Sequence, residues 1–117
     1  MTADEFDLEV EITLRMLPEP VRDALRHIDI VVLDEPDPEW DPEGLGLLGL
    51  YVGTPLPERD HNYSGELPDV IYVFRQPHLA LELELAELKR EIGKTVLHEL
   101  AHYFGFDDDT LDEHGWG

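Results

Sequence analysis

Cysteine is absent from the 117-residue chain. That removes disulfides, Cys-type structural zinc, iron–sulfur clusters and thiol nucleophiles, so any metal must be held by His, Asp or Glu. Positive charge is scarce too: 8 Lys and Arg stand against 28 Asp and Glu, a net charge of -20. A field of that sign repels polyanions, so no nucleic-acid partner is expected, while metal cations and neutral or basic partners are favoured. No apolar stretch approaches the roughly 20 residues that span a bilayer, so no membrane partner is expected. Met1-Thr2-Ala3-Asp4-Glu5 lacks the basic and apolar regions of a signal peptide. A cytoplasmic location is the default expectation.

What is present suits one modest core. Apolar residues make up 42% of the chain, with two Trp and four Phe, and residues 1–117 read as a single domain. Residues 3–17 carry two patterns. Phe6, Val10, Leu14 and Leu17 form a helical stripe, whereas Phe6, Leu8, Val10, Ile12 and Leu14 alternate. Thr2 followed by Glu5 resembles a capping box, and Pro18 marks a stop, so helix is favoured. Residues 20–28 read as a second short helix.

Ile28–Leu33, Leu47–Val52 and Val70–Phe74 read as strands, separated by Pro-rich acidic loops around residues 34–42 and 54–68. Val70–Phe74 is either a sheet edge lining a cleft or a central core strand. From about Leu81 to Phe104 apolar residues recur at three- and four-residue steps, and Gly105 sits where a helix commonly ends in a left-handed residue. The expected class is α+β, with a small mixed sheet of three or four strands and a long C-terminal helix.

That helix carries His98-Glu99-Leu100-Ala101-His102. Positions four apart lie about 40° apart around a helix axis, so His98 and His102 project from one face, a turn apart. Two imidazole nitrogens placed so can meet one cation at roughly 2.0–2.1 Å. Glu99 stands beside them, within reach of water at that cation. Gly105 permits a sharp turn, after which Asp108 can return as a third ligand; His114 is the alternative. A chance His-Glu-x-x-His match in such a composition has a probability of roughly 4%, and requiring Gly105 and Asp108 lowers it to about 3 in 10,000. The Asp107-Asp108-Asp109 run lacks the glycine and oxygen ligand of a calcium loop. Tyr51, Tyr72, Tyr103, Arg75 and His78 are candidate oxyanion stabilisers by chemistry, but packing or surface roles are favoured for each.

His98-Glu99-x-x-His102-x-x-Gly105-x-x-Asp108 resembles the Asp-terminated form of the extended zincin metallopeptidase motif. The stretch Leu47–Leu56, Leu67-Pro68-Asp69-x-Ile71 and Arg75-x-Pro77 are similar to the body of a family of small bacterial zincin-like proteins, so the likeness covers most of the chain. It implies a minimal zincin fold holding Zn2+ through His98, His102 and Asp108, with Glu99 as general base and a peptide or protein as substrate. Both methionines, Met1 and Met16, precede the motif, so the Met-turn of larger zincins has no counterpart. Nine residues follow Asp108, too few for the lower cleft wall of those enzymes. Short or flexible peptides are the substrates this pattern suggests. The competing expectation is a non-catalytic protein-interaction module stabilised by metal.

Overall fold

The computed structural model describes residues 1–53 and 69–106. Helix α1, Ala3–Arg15, opens on the expected capping box: the Glu5 amide donates to Thr2 Oγ1 at 3.1 Å, and the Thr2 amide to Glu5 Oε1 at 3.2 Å. The two patterns in this segment are resolved by burial. Phe6 and Val10 are buried, whereas Leu8 and Ile12, which an alternating strand would share with them, are 52% and 38% exposed. Helix α2 spans Glu19–Ala24 with Pro20 in its first turn, where a missing amide costs nothing. A 3-10 turn, Leu25–His27, completes the segment expected to be one short helix.

Three strands follow among the described residues: β1 (Ile28–Leu33), β2 (Gly49–Val52) and β3 (Asp69–Phe74). Their order in the sheet is β1-β3-β2, with β1 parallel and β2 antiparallel to β3. Among the described strands Val70–Phe74 is therefore central, and the edge position that lines the cleft falls to β2. A central strand buried on both faces reads as a continuous apolar run, as this one does.

Register puts Ile30 beside Ile71 and Val32 beside Val73 on the inner face. There they meet Phe6 and Val10 of α1 and a stripe from helix α4, Leu85–Tyr103. Its buried members Leu88, Ile92, Val96 and Leu100 recur at four-residue steps, each contributing about 1.5–3 kcal/mol when fully buried. On the other face Trp40, from the acidic Pro-rich loop, lies over β3, with ring centroids 4.6 Å from Tyr72 and 6.0 Å from Phe74.

The long C-terminal helix starts at Leu85, not Leu81. Ahead of it come helix α3, Arg75–Leu79, and a turn in which Glu82 adopts φ 54°. Arg75 fastens α3 down. Its guanidinium donates to both Asp7 carboxylate oxygens at 2.9 Å and to Asp34 Oδ1 at 2.8 Å, tying α1 to the end of β1. No helix among the described residues is long and apolar enough to cross a membrane.

Candidate metal centre

Helix α4 puts Glu99 on its core-facing stripe, following Thr95 and Val96 and preceding Tyr103, so the carboxylate-bearing residue is only 8% exposed. His98 and His102 border that stripe. Their Nε2 atoms lie 3.1 Å apart, with ring centroids 4.7 Å apart and planes at 81°. Two ligands at 2.0–2.1 Å from a tetrahedral ion are separated by about 3.3–3.4 Å, so the imidazole pair is already spaced for shared coordination. Glu99 Oε2 is 3.9 Å from His98 Nε2. One donor atom from each of His98, Glu99 and His102 falls within 4.8 Å of the others, a donor set that fits a divalent ion of the zinc type.

The end of α4 fixes which His102 nitrogen is turned toward His98 and the candidate site. Gly105 has φ 96°; its amide donates to the His102 carbonyl at 3.0 Å, and the Phe106 amide reaches the Ala101 carbonyl at 3.1 Å. These two bonds form a Schellman close, which glycine permits at no steric cost. The same turn brings the Phe106 carbonyl to 2.9 Å from His102 Nδ1. A carbonyl only accepts, so Nδ1 carries the proton and the Nε2 lone pair points to the site.

A cleft of about 350 Å³ opens beside this helix, lined on one side by Gly46–Gly49 and on the other by Glu91, Lys94, Thr95, His98 and Glu99. Its β2-side rim is held by Asp41, whose carboxylate accepts the amides of Leu45, Gly46 and Leu47 at 2.9, 3.1 and 3.2 Å. Those hydrogen bonds hold the Asp41 carboxyl below its ordinary pKa. Beneath the helix, His78 is fully buried in contact with Thr95, with Nε2 2.8 Å from Thr95 Oγ1 and Nδ1 2.7 Å from the Phe74 carbonyl. Burial pushes its pKa down, against the upward pull of the Phe74 carbonyl and the Glu91 charge.

His98, Glu99 and His102 are thus brought together; Asp108 and His114, the two candidates for a third ligand, lie outside the described residues. The candidate oxyanion stabilisers have other engagements. Tyr51 donates its hydroxyl to Asp69 Oδ2 at 2.9 Å, and its ring meets Tyr103 edge-on at 6.1 Å. Tyr72 is under Trp40, Arg75 is bound to Asp7 and Asp34, and His78 is inside the core. Sequence reasoning read Leu47–Val52 as a strand and Leu47–Leu56 as part of the family likeness, but gave Gly46–Gly49, Thr95 and Asp41 no role at the site. An apolar Gly-flanked run gives no sign of which side chains will face it across the fold.

The family model described as zincin-like metallopeptidase matches residues 25–116, well over half of the chain. No curated protein matches the sequence.

Proposed function

Because the chain belongs to the zincin-like metallopeptidase family, we propose that it is a zinc-dependent peptidase acting on short or flexible peptides, with Glu99 as its general base. The observation that carries this reading is the pairing of two imidazole Nε2 atoms at 3.1 Å with a nearly buried carboxylate on the same helix, at the mouth of a cleft. His98 and His102 would hold the ion through Nε2, and Asp108 would be the third ligand. A zinc ion held there would supply Lewis acidity toward a peptide carbonyl and would lower the pKa of bound water toward about 7.

Glu99 does the proton work. Its carboxylate takes a proton from the attacking water as the new C–O bond forms at the scissile carbonyl, then delivers it to the leaving nitrogen as the C–N bond breaks. The products are a carboxylic acid and an amine. The edge strand β2 and the residues before it offer the cleft a wall along which an extended peptide can lie. The acidic surface favours basic peptides through its field, an effect that salt screens beyond about 10 Å. This reading needs no nucleic-acid or membrane partner.

The deciding experiment compares wild type with Glu99→Gln and His98→Ala, each purified without chelator or His-tag. Zinc bound one-to-one by wild type and Glu99→Gln, absent from His98→Ala, and peptide hydrolysis by wild type alone is the expected result. Equal zinc in all three proteins overturns the ligand assignment. Equal hydrolysis by wild type and Glu99→Gln overturns the base, and zinc binding without hydrolysis leaves a metal-stabilised module.

A further inference from the structure

Gly49 is a glycine for want of space. Gly44, Gly46, Gly53 and Gly105 all have positive φ, which favours glycine on conformational grounds; Gly49 does not. A Cβ built on Gly49 would lie 2.6 Å from Thr95 Cγ2, 3.1 Å from the Tyr72 carbonyl oxygen and 3.2 Å from Glu99 Cγ. By contrast, the nearest atom to a Cβ on Gly93 is Thr13 Oγ1 at 3.4 Å, an ordinary contact.

Two of the three atoms around Gly49 are anchored. The Tyr72 carbonyl belongs to the central strand, paired on both sides. Thr95 is β-branched, so its rotamers on a helix are few, and its Oγ1 is engaged by the buried His78 and by the Glu91 carbonyl at 3.0 Å. Neutral His78 donates from Nδ1 to the Phe74 carbonyl, and the single Thr95 hydroxyl proton lies between His78 Nε2 at 2.8 Å and the Glu91 carbonyl at 3.0 Å, which restricts the rotation of Thr95. The third atom, Glu99 Cγ, is the aliphatic stem of the proposed base.

From this packing we infer that Gly49 is a positioning residue for Glu99: its missing side chain lets β2 lie close enough to α4 to seat the Glu99 stem between strand backbone and Thr95. Resting on the reading of Glu99 as the proton carrier, the inference adds what sets the reach of its carboxylate. A methyl group at 49 moves either the Glu99 side chain or the strand that forms the opposite wall of the cleft. Both change the distance over which the proton is passed, whereas no atom of His98 or His102 is among the three that a Cβ at 49 would meet most closely.

The test is Gly49→Ala, alone and combined with Thr95→Ser, which removes Cγ2, the atom the new methyl meets first. Zinc content, kcat and KM on a peptide library, and crystal structures of the zinc-loaded proteins are measured for each. The expected result is zinc at wild-type stoichiometry, a kcat lower by about 10–100-fold with KM changed far less, and a displaced Glu99 carboxylate. Thr95→Ser should recover much of that loss.

An unmoved Glu99 with wild-type kcat overturns the inference, as does a loss of zinc that parallels the loss of activity. If wild type binds zinc but cleaves nothing, the peptidase reading fails by itself, and the position of Glu99 in the Gly49→Ala crystal still decides the role of Gly49. Should Gly49→Ala not fold, the double variant supplies the same displacement measurement.

Discussion

The carbonyl oxygen of Phe106 sits 2.9 Å from Nδ1 of His102, so the residue that follows the helix-ending glycine also selects the tautomer of a candidate metal ligand. One turn thereby does two jobs. It satisfies the last helix carbonyls and orients an imidazole. Metal-ligating histidines commonly donate their second ring N–H to such an acceptor, and loss of that partner typically costs 10–100-fold in metal affinity.

Gly105→Ala tests this coupling. An alanine at φ 96° is strained by about 1–2 kcal/mol relative to glycine, so the unfolding free energy of the metal-free protein from a denaturant titration should fall by about that amount. Its zinc affinity should also fall by roughly 10-fold or more in a competition titration, because the Phe106 carbonyl no longer faces Nδ1. A zinc affinity equal to wild type separates the turn from the site.

Burial lowers the pKa of His78, which gives acid sensitivity with a definite sign. A base whose folded pKa lies below its unfolded value contributes stability fully above the unfolded value, about 6.5, and loses it as pH falls toward the folded value. The neutral imidazole should persist below pH 6.5 in NMR titration of the side-chain nitrogens, with the Nδ1 proton slow to exchange. Apo-protein stability should decline over the same range, and His78→Asn should flatten that slope. A His78 signal that titrates at about 6.5 would contradict the buried environment.

The cleft rim depends on Asp41 in the opposite pH direction. Its carboxyl is held below the ordinary aspartate value, so its contribution is complete above about 3.9 and is lost as pH falls through the folded value. Asp41→Ala removes the acceptor for the amides of residues 45, 46 and 47. Hydrogen exchange at those three amides should quicken by about 10-fold or more, and KM for peptides should rise while zinc content stays constant. Unchanged exchange would mean the loop holds its shape without the carboxylate.

Local features were legible in the residues. The capping box at Thr2 and Glu5, the four-residue apolar stripe of α4 and the left-handed close at Gly105 all depend on neighbours a few positions apart, and each is found where the spacing puts it. The His98-Glu99-x-x-His102 arrangement belongs to the same class, since one helical turn is enough to bring Nε2 to Nε2. Helix boundaries were less legible: residues 75–79 form their own short helix, because Pro77 sits within its first turn and Arg75 is captured by Asp7 and Asp34.

By itself, then, the sequence determined an α+β chain with no thiol chemistry, a strongly negative field and a pair of imidazoles on one helical face, because composition and the 3.6-residue period need no partner to act. Tertiary structure decided that Val70–Phe74 is the middle strand and that β2 is the edge strand facing the candidate site. It also decided that Gly49 lies against Thr95 and Glu99, and that His78 is buried beneath them. Those relationships join residues some 17 to 50 positions apart. They follow from how strands pair and helices pack, which a period along the chain does not encode.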